Sequence, residues 1–270
     1  MIPSKRFGAG CLLCHPEVFV SRAEMLETEE IGHVQLMITP VSKVAFSTLI
    51  EHFEPYAGKL RIHAPHHTQG VNPCDPSLYQ KNAQQEISIN IEEAMNQTWE
   101  AADRTGSDVI ILHAGRYETG KREAAIETFH TFLDEYPDKR YILESLPDLQ
   151  TGYEYLGITP AELRLLGGDR ITGFCPDFPH LWCTSKTHNI PYATMLDEMS
   201  ALPLRFSHLS GSPGPYSDRQ HLLFDDPENN FDLTSIRSFL TTHQDLEISL
   251  EFATDDPQVI RTQVQIASSI

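Results

Sequence analysis

The chain has 270 residues, 40% of them hydrophobic, with 20 Lys and Arg against 38 Asp and Glu and a formal net charge of −18. That is enough apolar material for one α/β barrel or two small domains, and no apolar run (Val109-Ile110-Ile111-Leu112 is among the longest) approaches the ~18 residues a membrane span needs. The acidic balance is a poor electrostatic start for a polyanion partner, although three divalent ions would bring −18 to −12 and make their own site locally positive.

From the N-terminus, Met1-Ile2-Pro3-Ser4-Lys5-Arg6 carries charge but no apolar stretch follows, so no secretion signal is read, and a cytoplasmic protein without a membrane partner is expected. The five cysteines are an odd number, which argues against a disulfide framework. Cys11-Leu12-Leu13-Cys14-His15 has the spacing of covalent haem attachment. Without an export signal, and without the second pair a zinc knuckle needs, it reads as two buried thiols at the first strand. Short β-type runs then alternate with helical stretches along the whole chain, a pattern of parallel βα units. Eight strands are expected: Arg6–Leu13, Val34–Ile38, Lys59–His63, Asp108–His113, Arg140–Glu144, Ile171–Cys175, Leu204–His208 and Glu247–Glu251. Helices are expected between them, including Ala83–Thr105, Ala124–Tyr136, Leu233–His243 and Pro257–Ala267, the last opened by a proline at its first turn. No internal repeat, low-complexity tract or long linker divides the chain. The expectation is a single (β/α)8 TIM barrel over residues 1–270.

The chemistry lies where the strands stop. The third ends at His63, the fourth at His113, the fifth at Glu144, the seventh at His208 and the eighth at Glu251. The sixth runs into Cys175-Pro176-Asp177-Phe178-Pro179-His180. In a TIM barrel these C-terminal ends converge on one mouth, where active sites lie. One histidine at a strand end is usually a satisfied hydrogen-bonding group. Six successive strands ending in His, Asp or Glu would bury several charges, and a shared metal cluster neutralises them together. Asp218-Arg219-Gln220-His221, ten residues beyond His208, can fold back over the same mouth.

These motifs resemble endonuclease IV, within the xylose-isomerase-like TIM-barrel superfamily, over roughly residues 59–254. Cys175-x-Asp177-x-x-His180 is the most specific match. The resemblance implies nine ligands for three zinc ions. His63, His113 and Glu144 would hold the first. Glu144 would bridge to the second, which also takes Asp177, His208 and Glu251. His180, Asp218 and His221 would hold the third. His66 or His67 can stand in for His63, although His63 ends the strand. The chain departs from the family pattern at Ala114 (Pro in the family), at Ser145 (Asn) and at Ser210-Gly211 (Asn-Asp). It also has one extra residue between Asp218 and His221, which makes His221 the loosest match.

Two activities compete. The first is a metal-dependent phosphodiesterase, specifically an abasic-site DNA endonuclease with a metal-activated hydroxide oriented by Glu144. The second is a sugar or sugar-phosphate isomerase or epimerase, using one ion with Glu144 and Glu251 as its proton-transfer pair. A degenerate barrel serving only as a binding protein is the third class. The expected cofactor is two or three Zn2+ per chain, with Mn2+ as the alternative. The expected partner is damaged DNA or a small phosphorylated or sugar substrate, met by a monomer. Lys43, Arg116, Lys121 and Arg219 are the loop cations available to phosphates.

Overall fold

The computed structural model describes residues 2–78, 90–149, 152–215 and 221–270. Eight parallel strands make the barrel: β1 (Phe7–Leu12), β2 (His33–Met37), β3 (Leu60–His63), β4 (Ile110–Leu112), β6 (Tyr141–Glu144), β8 (Gly173–Cys175), β9 (Ser207–Leu209) and β10 (Ile248–Leu250). They are ordered β8-β6-β4-β3-β2-β1-β10-β9. The seam between β8 and β9 closes through single parallel bridges, Phe174 with Leu204 and Asp177 with His208. The backbone bond from His208 N to Pro176 O (2.9 Å) reinforces the second bridge. Each expected strand is present, most of them trimmed by one to three residues. The seventh is shifted. Leu204 makes only its isolated bridge, and regular pairing begins at Ser207.

Among the described residues nine α-helices surround the strands: α1 (Pro16–Glu27), α2 (Lys43–Ile50), α3 (Ile91–Thr105), α4 (Arg122–Glu135), α5 (Pro160–Gly167), α6 (Phe178–Thr187), α7 (Tyr192–Ser200), α8 (Arg237–Thr242) and α9 (Pro257–Ser268). The expected helix from Ala83 is corrected at its start. Asn90 has extended backbone and accepts Glu93 N at 2.7 Å, an N-cap that begins the helix at Ile91, and residues 83–89 lie outside the described residues. The stretch expected as Leu233–His243 opens as a 3-10 turn, Leu233–Ile236, before α8. One pair of strands had no sequence signal. β5 (Arg116–Glu118) and β7 (Tyr153–Tyr155) form an antiparallel ribbon beside the barrel. No helix among the described residues is long and apolar enough to cross a membrane. All five cysteines are free; Cys11 is buried as expected, but Cys14, beyond the end of β1, is only half-buried.

The barrel interior is divided. Val109, Ile111, Ile142, Cys175 and Phe206 form an apolar cluster of their own. The opposite wall is polar. Arg61 on β3 pairs with Glu247, just before β10, through Nε–Oε2 (2.6 Å) and Nη2–Oε1 (2.7 Å) bonds. Two strands separate β3 from β10 in the sheet, so this pair spans the interior. The His33 ring lies over Gly8, where an added Cβ would come 2.2 Å from His33 Nε2, and reaches Phe206 at a centroid distance of 5.1 Å. TIM barrels usually fill this space with branched apolar side chains.

Candidate metal centre

The C-terminal strand ends open into a cavity of about 910 Å3, lined among others by Gln35, His63, His113, Glu144, His180 and Glu251. Glu144, the last residue of β6, is its hub and is 1% exposed. Its Oε2 lies 3.2 Å from His63 Nε2, 3.0 Å from His113 Nε2 and 3.1 Å from His208 Nδ1. Its other oxygen, Oε1, is 3.7 Å from His180 Nδ1. Three groups of possible metal donors share this carboxylate: His63, His113 and Glu144; Glu144, Asp177, His208 and Glu251; and Glu144, Cys175 and His208. In each group the donor atoms lie within 4.8 Å of one another.

Local sequence explains the aim of each side chain. Asp177 is the N-cap of α6, and its Oδ1 accepts His180 N at 2.8 Å, while Pro at the helix start prevents any earlier turn. Capping pins one carboxylate oxygen and leaves Oδ2 buried without a hydrogen-bond partner, 3.5 Å from His180 Nδ1. Ser145, where the family pattern has Asn, ties this loop to β6. Its Oγ accepts Asp177 N at 2.8 Å, and its carbonyl is 3.0 Å from His180 Nδ1. A carbonyl only accepts, so His180 Nδ1 carries the proton and Nε2 keeps the lone pair. His63 follows the same logic, with Nδ1 donating to Ala64 O (2.7 Å) and Nε2 turned to Glu144. An imidazole that gives its N–H to a carbonyl and turns its lone pair toward a carboxylate has the usual disposition of a metal ligand.

The electrostatics agree. Burial acts to raise the Glu144 carboxyl, but His113 and His208 outweigh it and hold it well below the usual carboxylate range. Asp177 is pushed up to about 8, by burial first and then by Glu144 and Glu251. Burial lowers His113 and His180, keeping both neutral. Burial also acts to lower His208, but Cys175, Glu144 and Glu251 outweigh it and raise that imidazole well above its usual value, so the site draws in a proton where a metal cation would sit. Asp177 Oδ2, His113 Nδ1 and His208 Nδ1 are buried without hydrogen-bond partners beside ionised Glu144, and divalent cations fit this donor set.

Of the nine sequence-derived candidates, His63, His113, Glu144, Asp177, His180, His208 and Glu251 come together. His221 lies at the edge. Its Nδ1 is 3.7 Å from Glu251 Oε2 and its ring centroid 5.9 Å from that of His180, and the side chain is 39% exposed. The loop does fold back, through paired bonds between Gly211 and Leu222, and His221 takes a left-handed backbone (φ 67°) to face the mouth. Asp218 and Arg219 lie outside the described residues. The alternatives to His63 sit one shell away from Glu144. His66 stacks on His113 (4.7 Å, 17°), its Nδ1 faces Thr68 N, and with His67 and His113 it makes another donor group. Burial pushes His67 down to about 3.

Sequence reading missed Gln35. Its amide lies 2.6 Å from both Glu251 Oε1 and His208 Nε2. The only available signal was parity. In His33-Val34-Gln35-Leu36-Met37 the polar residues fall on one face of an otherwise apolar strand. Of the loop cations, Arg116 stacks over Tyr153 at 4.7 Å and Lys121 is paired with Glu118.

No protein-family model matches the chain, and no curated protein matches it significantly. Solved structures do resemble it. Endonuclease IV from Thermus thermophilus superposes with a TM-score of 0.63 at 17% identity, covering 98% of each chain. A xylose isomerase domain-containing protein from Salmonella typhimurium gives 0.62 at 14%, over 100% of this chain and 98% of that one. The TTHB071 protein, also from Thermus thermophilus and soaked with ZnCl2, gives 0.57 at 14%, over 98% and 99%. The chain therefore has the TIM-barrel fold, and the solved structures it resembles include endonuclease IV and a xylose isomerase domain-containing protein.

Proposed function

We propose that the protein is a divalent-metal-dependent phosphodiesterase of the endonuclease IV kind, an enzyme that cleaves DNA at abasic sites. The observation that carries this reading is the surplus of donors. Seven buried or half-buried His, Asp and Glu side chains, Glu144 at their hub, come together, more than the four to six ligands of a single ion. His63, His113 and Glu144 would hold one ion, and Glu144, Asp177, His208 and Glu251 a second. His180 with Asp218 and His221 would serve a third. Zinc suits the imidazole-rich set, with manganese as the alternative. Bound ions there would supply Lewis acidity toward phosphate oxygens and lower the pKa of water. Glu144, the carboxylate common to these donor groups, would orient the attacking water.

A sugar isomerase or epimerase is the second reading. It is favoured by the completeness of the Glu144, Asp177, His208 and Glu251 set as a one-ion site. Glu144 and Glu251 would then exchange the substrate proton, and the acidic surface would be no obstacle. The test is cleavage of an abasic-site duplex at low salt beside turnover of a panel of ketoses and ketose phosphates. Cleavage abolished by Glu144→Gln and Asp177→Asn supports the nuclease. Ketose turnover with one ion and no DNA cleavage overturns it.

A further inference from the structure

Gln35 is 2% exposed and faces into the barrel from β2. Its amide spans two residues from strands that do not neighbour β2: Glu251 after β10 and His208 on β9. Chemistry decides which end of the amide is which. As a metal ligand, Glu251 is a deprotonated carboxylate. An ionised carboxylate only accepts, so the Gln35 amide nitrogen faces Glu251 Oε1 at 2.6 Å. The amide oxygen then faces His208 Nε2, also at 2.6 Å, and it too only accepts. His208 Nε2 must therefore carry a proton. The neutral imidazole, the form that binds a metal, has one N–H, which leaves a lone pair on Nδ1. That atom is buried without a hydrogen-bond partner and lies 3.1 Å from Glu144 Oε2. In that neutral form the two facing atoms are both acceptors, out of hydrogen-bonding line, and a cation fits between them.

We propose that Gln35 is a positioning residue: one amide fixes the tautomer of His208 and pins one oxygen of Glu251, so that both present free donor atoms to the ion shared with Glu144 and Asp177. This rests on the metal reading of the site. Tying Glu251 Oε1 leaves Oε2 as its free oxygen, the one that faces His221. Only a side-chain amide supplies both the donor and the acceptor. Leucine fills the space with neither, and glutamate sets a second carboxylate against Glu251.

The experiment compares full-length wild type with Gln35→Leu and Gln35→Glu. Zinc affinity is read by competition with a chromogenic chelator, ion number by elemental analysis, and the His208 ring by long-range 1H–15N NMR of the zinc-loaded protein. Wild type is expected to show a protonated Nε2 and a zinc-shifted Nδ1. Gln35→Leu is expected to bind one ion 10- to 100-fold more weakly and to show a mixed or inverted His208 tautomer, while the ion served by His63 and His113 is retained. Gln35→Glu should not rescue. A wild-type His208 bound through Nε2, or Gln35→Leu affinity within twofold of wild type, overturns the proposal. The wild-type tautomer decides alone should Gln35→Leu fail to fold. Wild type that binds no zinc overturns the metal reading as well, whereas zinc binding lost in Asp177→Asn but unchanged in Gln35→Leu overturns only the role of Gln35.

Discussion

Glu144 belongs both to the group with His63 and His113 and to the group with Asp177, His208 and Glu251, and Asp177 only to the second, so Glu144→Gln and Asp177→Asn must differ in how much metal-dependent stability they remove. An ion at 100 times its dissociation constant adds about 2.7 kcal/mol to the folded state. For 270 residues at ~2.1 cal/mol/K each, the unfolding entropy is about 0.57 kcal/mol/K, so each ion is worth ~5 °C in Tm. Two ions joined by the Glu144 carboxylate should give a drop of about 10 °C when wild type is stripped with chelator. Glu144→Gln keeps the side-chain shape but removes the charge within 3.2 Å of His63, His113 and His208, and should abolish nearly all of that drop. Asp177→Asn changes the one oxygen left free by the α6 cap and should abolish about half. The assay is differential scanning calorimetry of each variant with and without chelator, so that changes in metal-free stability cancel. A chelator-insensitive wild type, or equal losses in the two variants, would refute the reasoning.

The fully buried His33 is lowered from 6.5 to about 4 by burial, so its neutral form supports the fold above the unfolded value and the support fades as pH falls. Between pH 8 and pH 5 this amounts to about 2 kcal/mol, and denaturant titrations of wild type and His33→Leu should differ in pH slope by that amount; parallel slopes would contradict it. Gly8→Ala should destabilise by roughly 1–3 kcal/mol, because the new Cβ meets both the His33 ring and His33 O (2.7 Å); a neutral change in a chemical melt would mean the ring moves freely. If abasic DNA is the substrate, the scarcity of free loop cations predicts weak binding whose affinity falls steeply between 50 and 200 mM salt; salt-independent binding in a fluorescence titration would point away from phosphate contacts.

The barrel was legible because each strand ends an apolar run, and because His63, His113, Glu144, His208 and Glu251 stand at those ends. The spacing of Asp177 and His180 was legible for a local reason: three residues separate an N-cap from the first helical side chain that can turn back beside it. What sequence hid was the pairing across the barrel. Arg61 with Glu247, and Gln35 with His208 and Glu251, join strands far apart in the chain, and a polar residue in a short strand reads as solvent-facing until its parity is known. The ribbon of Arg116–Glu118 with Tyr153–Tyr155 has strands too short to carry an alternation. The choice of His63 over His66 followed from its place on β3, whereas His66 sits at the cap of a 3-10 turn.

The central claim is a polynuclear metal centre built around Glu144, and the most direct measurement is elemental analysis of protein purified without chelator. Two or three divalent ions per chain, zinc or manganese, are predicted, with two the least that the donor groups sharing Glu144 call for. One ion or none would contradict the account.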